Sequence, residues 1–108
     1  MIITTIETIP GKKIKAHCGL VSGSTVRAKN AILDIGAGLK NVVGGELKAY
    51  TDLLGQAREE AINRMMEQAQ KLRANAIVNV RLATSAITAG AAEVYAYGTA
   101  VVVEDIGM

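Results

Sequence analysis

The chain opens on Ile2 to Ile9, an apolar stretch rich in β-branched residues that stops at the turn signal Pro10-Gly11. Lys12 to Ser22 then alternates: Ile14, Ala16, Cys18 and Leu20 fall on one side, Lys13, Lys15, His17 and Gly19 on the other. That period predicts a half-buried strand, paired with the first segment as a hairpin through Pro10-Gly11. In Ala28 to Val43 the spacing of Ile32, Ile35, Leu39 and Val42 predicts a short helix, weakened by Gly36 and Gly38 and ended by Gly44-Gly45. Glu46 to Arg73 carries a longer stripe of Leu47, Tyr50, Leu54, Ala57, Ala61, Met65, Ala69 and Leu72. It predicts a helix about 40 Å long, whose small residues Ala57 and Ala61 let its axis approach a sheet, with Gly55 easing the same approach. From Ala76 the period returns to two as far as Ala83. Thr84 to Ala92, small and polar, reads as a mobile connection, and Glu93 to Glu104 as the last strand.

These elements predict an α+β fold: a four-stranded, mainly antiparallel sheet with one long and one short helix, in a single domain over residues 1–108. The last strand shapes the larger expectation. Val94, Ala96, Ala100 and Val102 line one face, Tyr95, Tyr97, Val101 and Val103 the other, and neither face carries charge. A strand apolar on both faces is covered on both. Helices in this order cover one, so the second cover is expected from another subunit, in a homo-oligomer of more than two copies.

Composition narrows the functions. The 108 residues are half hydrophobic, yet lack Phe and Trp and hold three tyrosines, which leaves little to stack on nucleobases or sugars. The net charge is +2 and the basic residues are scattered, Lys12, Lys13 and Lys15 being the densest group, so nucleic acid is not an expected partner. Tyr95 and Tyr97 sit two apart on one face, which suits a subunit interface better than an RNA-binding sheet. No run reaches the roughly 20 apolar residues of a membrane span. Met1 to Pro10 has no basic residue ahead of its apolar stretch, unlike a secretory signal, and one cysteine makes no internal disulfide. The expected location is the cytoplasm.

Cys18-Gly19-Leu20-Val21-Ser22-Gly23, the Asp34 helix closing on Val43-Gly44-Gly45, the Tyr50 to Ala61 stripe with Ala57-Arg58, Ala74-Asn75-Ala76-Ile77-Val78 and the closing Gly98-Thr99-Ala100-Val101 resemble the YbjQ-like family over nearly the whole chain. The resemblance implies a subunit related to the dodecin-like folds, assembled as a ring, commonly a pentamer, with heavy-metal binding as the suggested but unproven role. One departure stands out: where the family tends to carry Gly-Ala-Asp-Ala, this chain has Arg73-Ala74-Asn75-Ala76. An acidic residue is thereby missing beside the third strand.

For a soft metal ion, thiolate and imidazole are the natural donors, and His17 and Cys18 are adjacent. Successive strand residues point to opposite faces, so one chain does not turn both onto one ion. The same geometry defeats a Cys–His nucleophile pair, and there is no second histidine. Cys18 on the face of Ile14, Ala16 and Leu20 reads first as a small buried hydrophobe. Any metal site built on Cys18 or His17 is expected to be shared between subunits. Asp34, Glu59, Glu60, Glu93, Glu104 and Asp105 form no acid/base dyad, and the glycines lack the spacing of a dinucleotide or Walker loop. Gly44-Gly45 offers N–H groups to an anion but is explained by a helix stop and restart. The expectation is a non-catalytic binding protein taking a soft metal ion or small ligand between subunits; a purely structural ring, or an enzyme with an interface site, are the alternatives.

Overall fold

The computed structural model describes residues 1–27, 48–88 and 91–107. Its elements are β1 (Ile2–Ile3), β2 (Lys12–Arg27), α1 (Lys48–Lys71), β3 (Ala76–Thr88) and β4 (Ala91–Asp105). The four strands form one mixed sheet in the order β1-β3-β4-β2. β4 is antiparallel to both neighbours, and β1 lies parallel to β3, Ile2 opposite Ala76 and Ile3 opposite Ile77. The class is α+β, as the periodicity predicts. The helix predicted over Ala28 to Val43, with Asp34 and Gly44-Gly45, lies outside the described residues.

α1 packs along one face of the sheet. Its stripe is Ala57, Ala61, Met65 and Ala69, one turn apart and all fully buried. They meet Val21 of β2, Ile77 and Val80 of β3, and Ala96 and Ala100 of β4. Small side chains on the helix are half of the close approach; Gly23 is the other half. A Cβ at Gly23 would stand 2.3 Å from the Ala61 carbonyl oxygen and from the Met65 nitrogen, so helix backbone sits directly on strand backbone. Gly55, expected to ease this contact, faces no sheet atom: a Cβ there would meet only the Arg58 guanidinium, at 3.9 Å.

The helix ends on a backbone motif. The Arg73 N–H donates to the Gln70 carbonyl and the Ala74 N–H to the Ala69 carbonyl, with Arg73 at φ +62°. This is the paired-bond helix stop that needs one left-handed residue, and Ala74 and Ala69 bury themselves together beside it. Asn75 then fastens the chain to β4. Its side-chain amide donates to the Val103 carbonyl at 2.9 Å, and its side-chain oxygen accepts from the Val103 N–H at 2.8 Å.

Three expectations change. Ile2 to Ile9 does not form a hairpin with β2: only Ile2 and Ile3 are strand, and they pair with β3. The segment after them runs along the β3 edge, where the Val80 and Asn79 N–H groups donate to the Thr4 and Ile6 carbonyls and the Arg81 guanidinium reaches the Thr5 carbonyl. It brings Ile9 against Ala76, Val78, Val101 and Val103. Burial of those side chains gives the physical reason, because a hairpin would leave them in water. Half of the second face assigned to another subunit is therefore covered by this chain's own N-terminal segment. Next, Thr84 to Ala92 is not a mobile connection: the β3–β4 ladder runs on to Thr88 opposite Ala91. The small residues there keep a ladder going without an apolar stripe to announce it, helped by β-branched Thr84, Ile87 and Thr88.

The third change concerns β2. Register shifts fall between Ile14 and Ala16 and between His17 and Gly19, with Gly19 at φ +125°. The extra residues turn the strand, and strict alternation fails. Cys18 and Val21 face the helix-side core, while Leu20 is 75% exposed and Ile14 45% exposed.

Candidate binding site

Cys18 is half-buried and packs against the helix-side cluster that holds Met65 and Ala69. His17, one residue earlier, is exposed and stands opposite Val101, whose side chain belongs to the cluster on the other face. By these neighbours the two donors lie toward different faces, although the irregularity at Cys18 breaks the strict alternation of the strand. Among the described residues no three of His, Cys, Asp and Glu come together in a way that could hold a metal ion.

The charged groups near that end of the sheet pair with one another. Lys13 and Lys15 approach the Glu104 carboxylate at 3.3 and 3.9 Å. Lys12 pairs with Asp105 across the ladder, and this hydrogen bond and charge hold the Asp105 carboxyl below the ordinary 3.8. All are exposed pairs of small energetic weight. They protect the first half of the β2 edge from pairing with another chain. Farther along, the helix guards the same edge: the Ser22 N–H donates to the Gln68 side chain at 2.7 Å, and Arg64 donates to the Ser24 carbonyl. Arg64 also pairs with Glu60, one turn back.

The end of the sheet away from Lys12 also exposes apolar side chains among the described residues. On the second face Tyr95 and Tyr97 stack with ring centroids 5.9 Å apart, and Tyr97 is 38% exposed. Leu20 and Val26 of β2 are exposed on that same face. On the helix side, α1 lies mainly over β2 and β4 and covers β3 at Ile77 and Val80, while among the described residues Leu82 to Thr84 stay more open. A cleft of about 260 Å³ results, lined by Leu54, Arg58, Leu82, Ala83, Thr84 and Val94. Leu82, at 45% exposure, forms part of its floor. Sequence reasoning placed Leu54 on the core stripe and Arg58 off it but did not join them to β3. The four-residue spacing of Leu54 and Arg58 puts both on one helix flank, and that was the available signal.

Among the described residues no helix is long and apolar enough to cross a membrane. What fold and site define together is a small two-layer α+β domain with divergent donor groups and uncovered apolar surface. The chain belongs to the YbjQ family, described as "Putative heavy-metal-binding", whose pattern it matches over residues 1–104. It is 62% identical over 104 residues to a UPF0145 protein of Hahella chejuensis, covering 96% of this chain and 100% of that protein. It is 57% identical over 101 residues to a UPF0145 protein of Archaeoglobus fulgidus, covering 94% of each. A solved structure of a protein of unknown function from Pediococcus pentosaceus, assigned to the DUF74 family, superposes with a TM-score of 0.63 at 18% identity. That match covers 96% of this chain and 98% of the other, and it supports the fold.

Proposed function

We propose that this protein is a non-catalytic binding protein that works as a ring-shaped homo-oligomer and takes a soft metal ion or a small ligand at the junctions between subunits. The observation that carries the reading is the separation of Cys18 from His17 onto opposite faces. A soft ion needs several converging donors, and a single chain presents one thiol and one imidazole that diverge. Symmetry-related copies bring like donors together, and the exposed Leu20, Val26, Tyr97 and Leu82 give those copies a surface to share. The family description favours the metal as ligand.

Equilibrium dialysis against zinc, copper and cadmium, with parent and Cys18→Ala in parallel, tests this. The expected outcome is less than one ion per chain at saturation, lost in Cys18→Ala. Equal binding by both proteins removes Cys18 from the site.

A further inference from the structure

The cleft between α1 and β3 differs in kind from the divergent donors of β2. Among the described residues its walls are mostly aliphatic, supplied by Leu54, Leu82, Ala83 and Val94 together with Thr84. The charged residue that lines it, among those described, is Arg58. Arg58 makes no salt bridge or hydrogen bond among the described residues, whereas Arg64, two turns of side-chain reach along the same helix, is held by Glu60 and Ser24. The Arg58 guanidinium lies back along the helix toward Gly55, 3.9 Å from where a Cβ at that glycine would stand. A second polar group lacks a partner nearby. Thr25 is 2% exposed, its hydroxyl oxygen has no hydrogen-bond partner, and it sits directly opposite the cleft residue Val94 in the ladder. An unpartnered guanidinium beside an aliphatic trough is the complement of one ligand chemistry, a single anionic head on an apolar body.

We propose that this cleft binds a small amphiphilic carboxylate, its chain against Leu54, Leu82 and Val94 and its carboxylate paired with Arg58. About 260 Å³ holds a body of roughly ten non-hydrogen atoms, the size of a medium-chain fatty acid. A ligand that small, in a cleft this open, binds with a Kd on the order of a millimolar. The site is made by one chain and does not depend on Cys18, so it stands or falls separately from the metal reading.

The test is titration of the full chain with octanoate, octanol and acetate, followed by amide chemical shifts. Octanoate is expected to move the signals of Leu54, Arg58, Leu82 and Val94, with octanol and acetate each at least about tenfold weaker, since a charge-assisted pair contributes on the order of tenfold or more. Arg58→Gln should weaken octanoate about tenfold while leaving octanol unchanged, and Arg58→Lys should restore part of the loss. Leu82→Ala should weaken octanoate and octanol together. Equal binding of octanoate by parent and Arg58→Gln overturns the proposal. So does the absence of any octanoate shift at the cleft, including the case in which another copy of the chain already fills it.

Discussion

Arg73 occupies the left-handed position that ends α1, at φ +62°. A residue with a Cβ pays about 1 kcal/mol there that glycine does not. The family resemblance implies glycine at the head of this four-residue run, and the helix stop supplies a physical reason for one there. Arg73→Gly is therefore expected to stabilise the fold by about 0.5–1 kcal/mol, seen as a rise of about 3–5 °C in the thermal midpoint by circular dichroism. The neighbouring change of Asp for Asn has its own logic. Asn75 needs both a donor and an acceptor to hold Val103 through its N–H and its carbonyl, and an ionised Asp lacks the donor. The position looked like a lost acidic ligand in the sequence; in the structure it is a fastening between the helix stop and β4.

The helix was the most legible element, because Ala57, Ala61, Met65 and Ala69 repeat at one turn and all four are fully buried. β2 was legible as a strand but not in its facing. Nothing in Lys13 to Leu20 announces that a positive φ at Gly19 will turn the strand, so the alternation assigned Leu20 to the core and missed Val21. The partner of α1 was missed for a related reason: the close approach depends on Gly23, a residue without a side chain to register in any apolar pattern. Gly23→Ala is expected to cost about 3 kcal/mol, because the new Cβ collides with helix backbone rather than a side chain that can rotate away. Urea denaturation should show a lower midpoint at unchanged slope. Gly55→Ala, whose new Cβ would meet only the Arg58 guanidinium at ordinary contact distance, should instead be neutral or slightly stabilising.

At the scale of the whole molecule, exposed apolar residues lie at both ends of the sheet, Val26, Leu82 and Tyr97 toward one and Ile2, Ile3, Ile14 and Ile106 toward the other. Lys12, Lys13 and Lys15 and the turned part of β2 mark the other end, where Ile9 and the N-terminal segment also seal the second face. Among the described residues Leu20, Val26, Leu82 and Tyr97 are exposed on the two sides of the sheet, and on these side chains the assembly reading rests. Light scattering coupled to gel filtration is expected to give a mass more than twice the 11.3 kDa of one chain. Tyr97→Asp should dissociate or precipitate the protein, and Lys13→Asp, in the exposed group paired with Glu104, should leave the size unchanged. A single chain at micromolar concentration would end the assembly reading. The sequence led to this surface through the two apolar faces of β4. It could not divide the second face between Val101 and Val103, which the N-terminal segment helps to bury, and Tyr95 and Tyr97, which stay partly exposed among the described residues.

The position of β4 also sets the order in which the molecule can be made. It is the last strand of the chain and the only one bonded to both long neighbours, β2 and β3. Lys12 finds its partner at Asp105, and Ile2 at Ala76, so the sheet is closed by contacts between residues far apart in the chain. As the polypeptide leaves the ribosome, β2 and α1 emerge with nothing between them and β3 to join. The apolar side of the helix then waits, solvent-bathed or held by a chaperone, until the final fifteen or so residues arrive. Folding is consequently a late, single event with a high entropic threshold, the behaviour of chains dominated by long-range pairing. A chain cut short of Glu93 would hold α1 and three strands, with β3 able to pair only with the short β1 and with β2 left unjoined to the sheet.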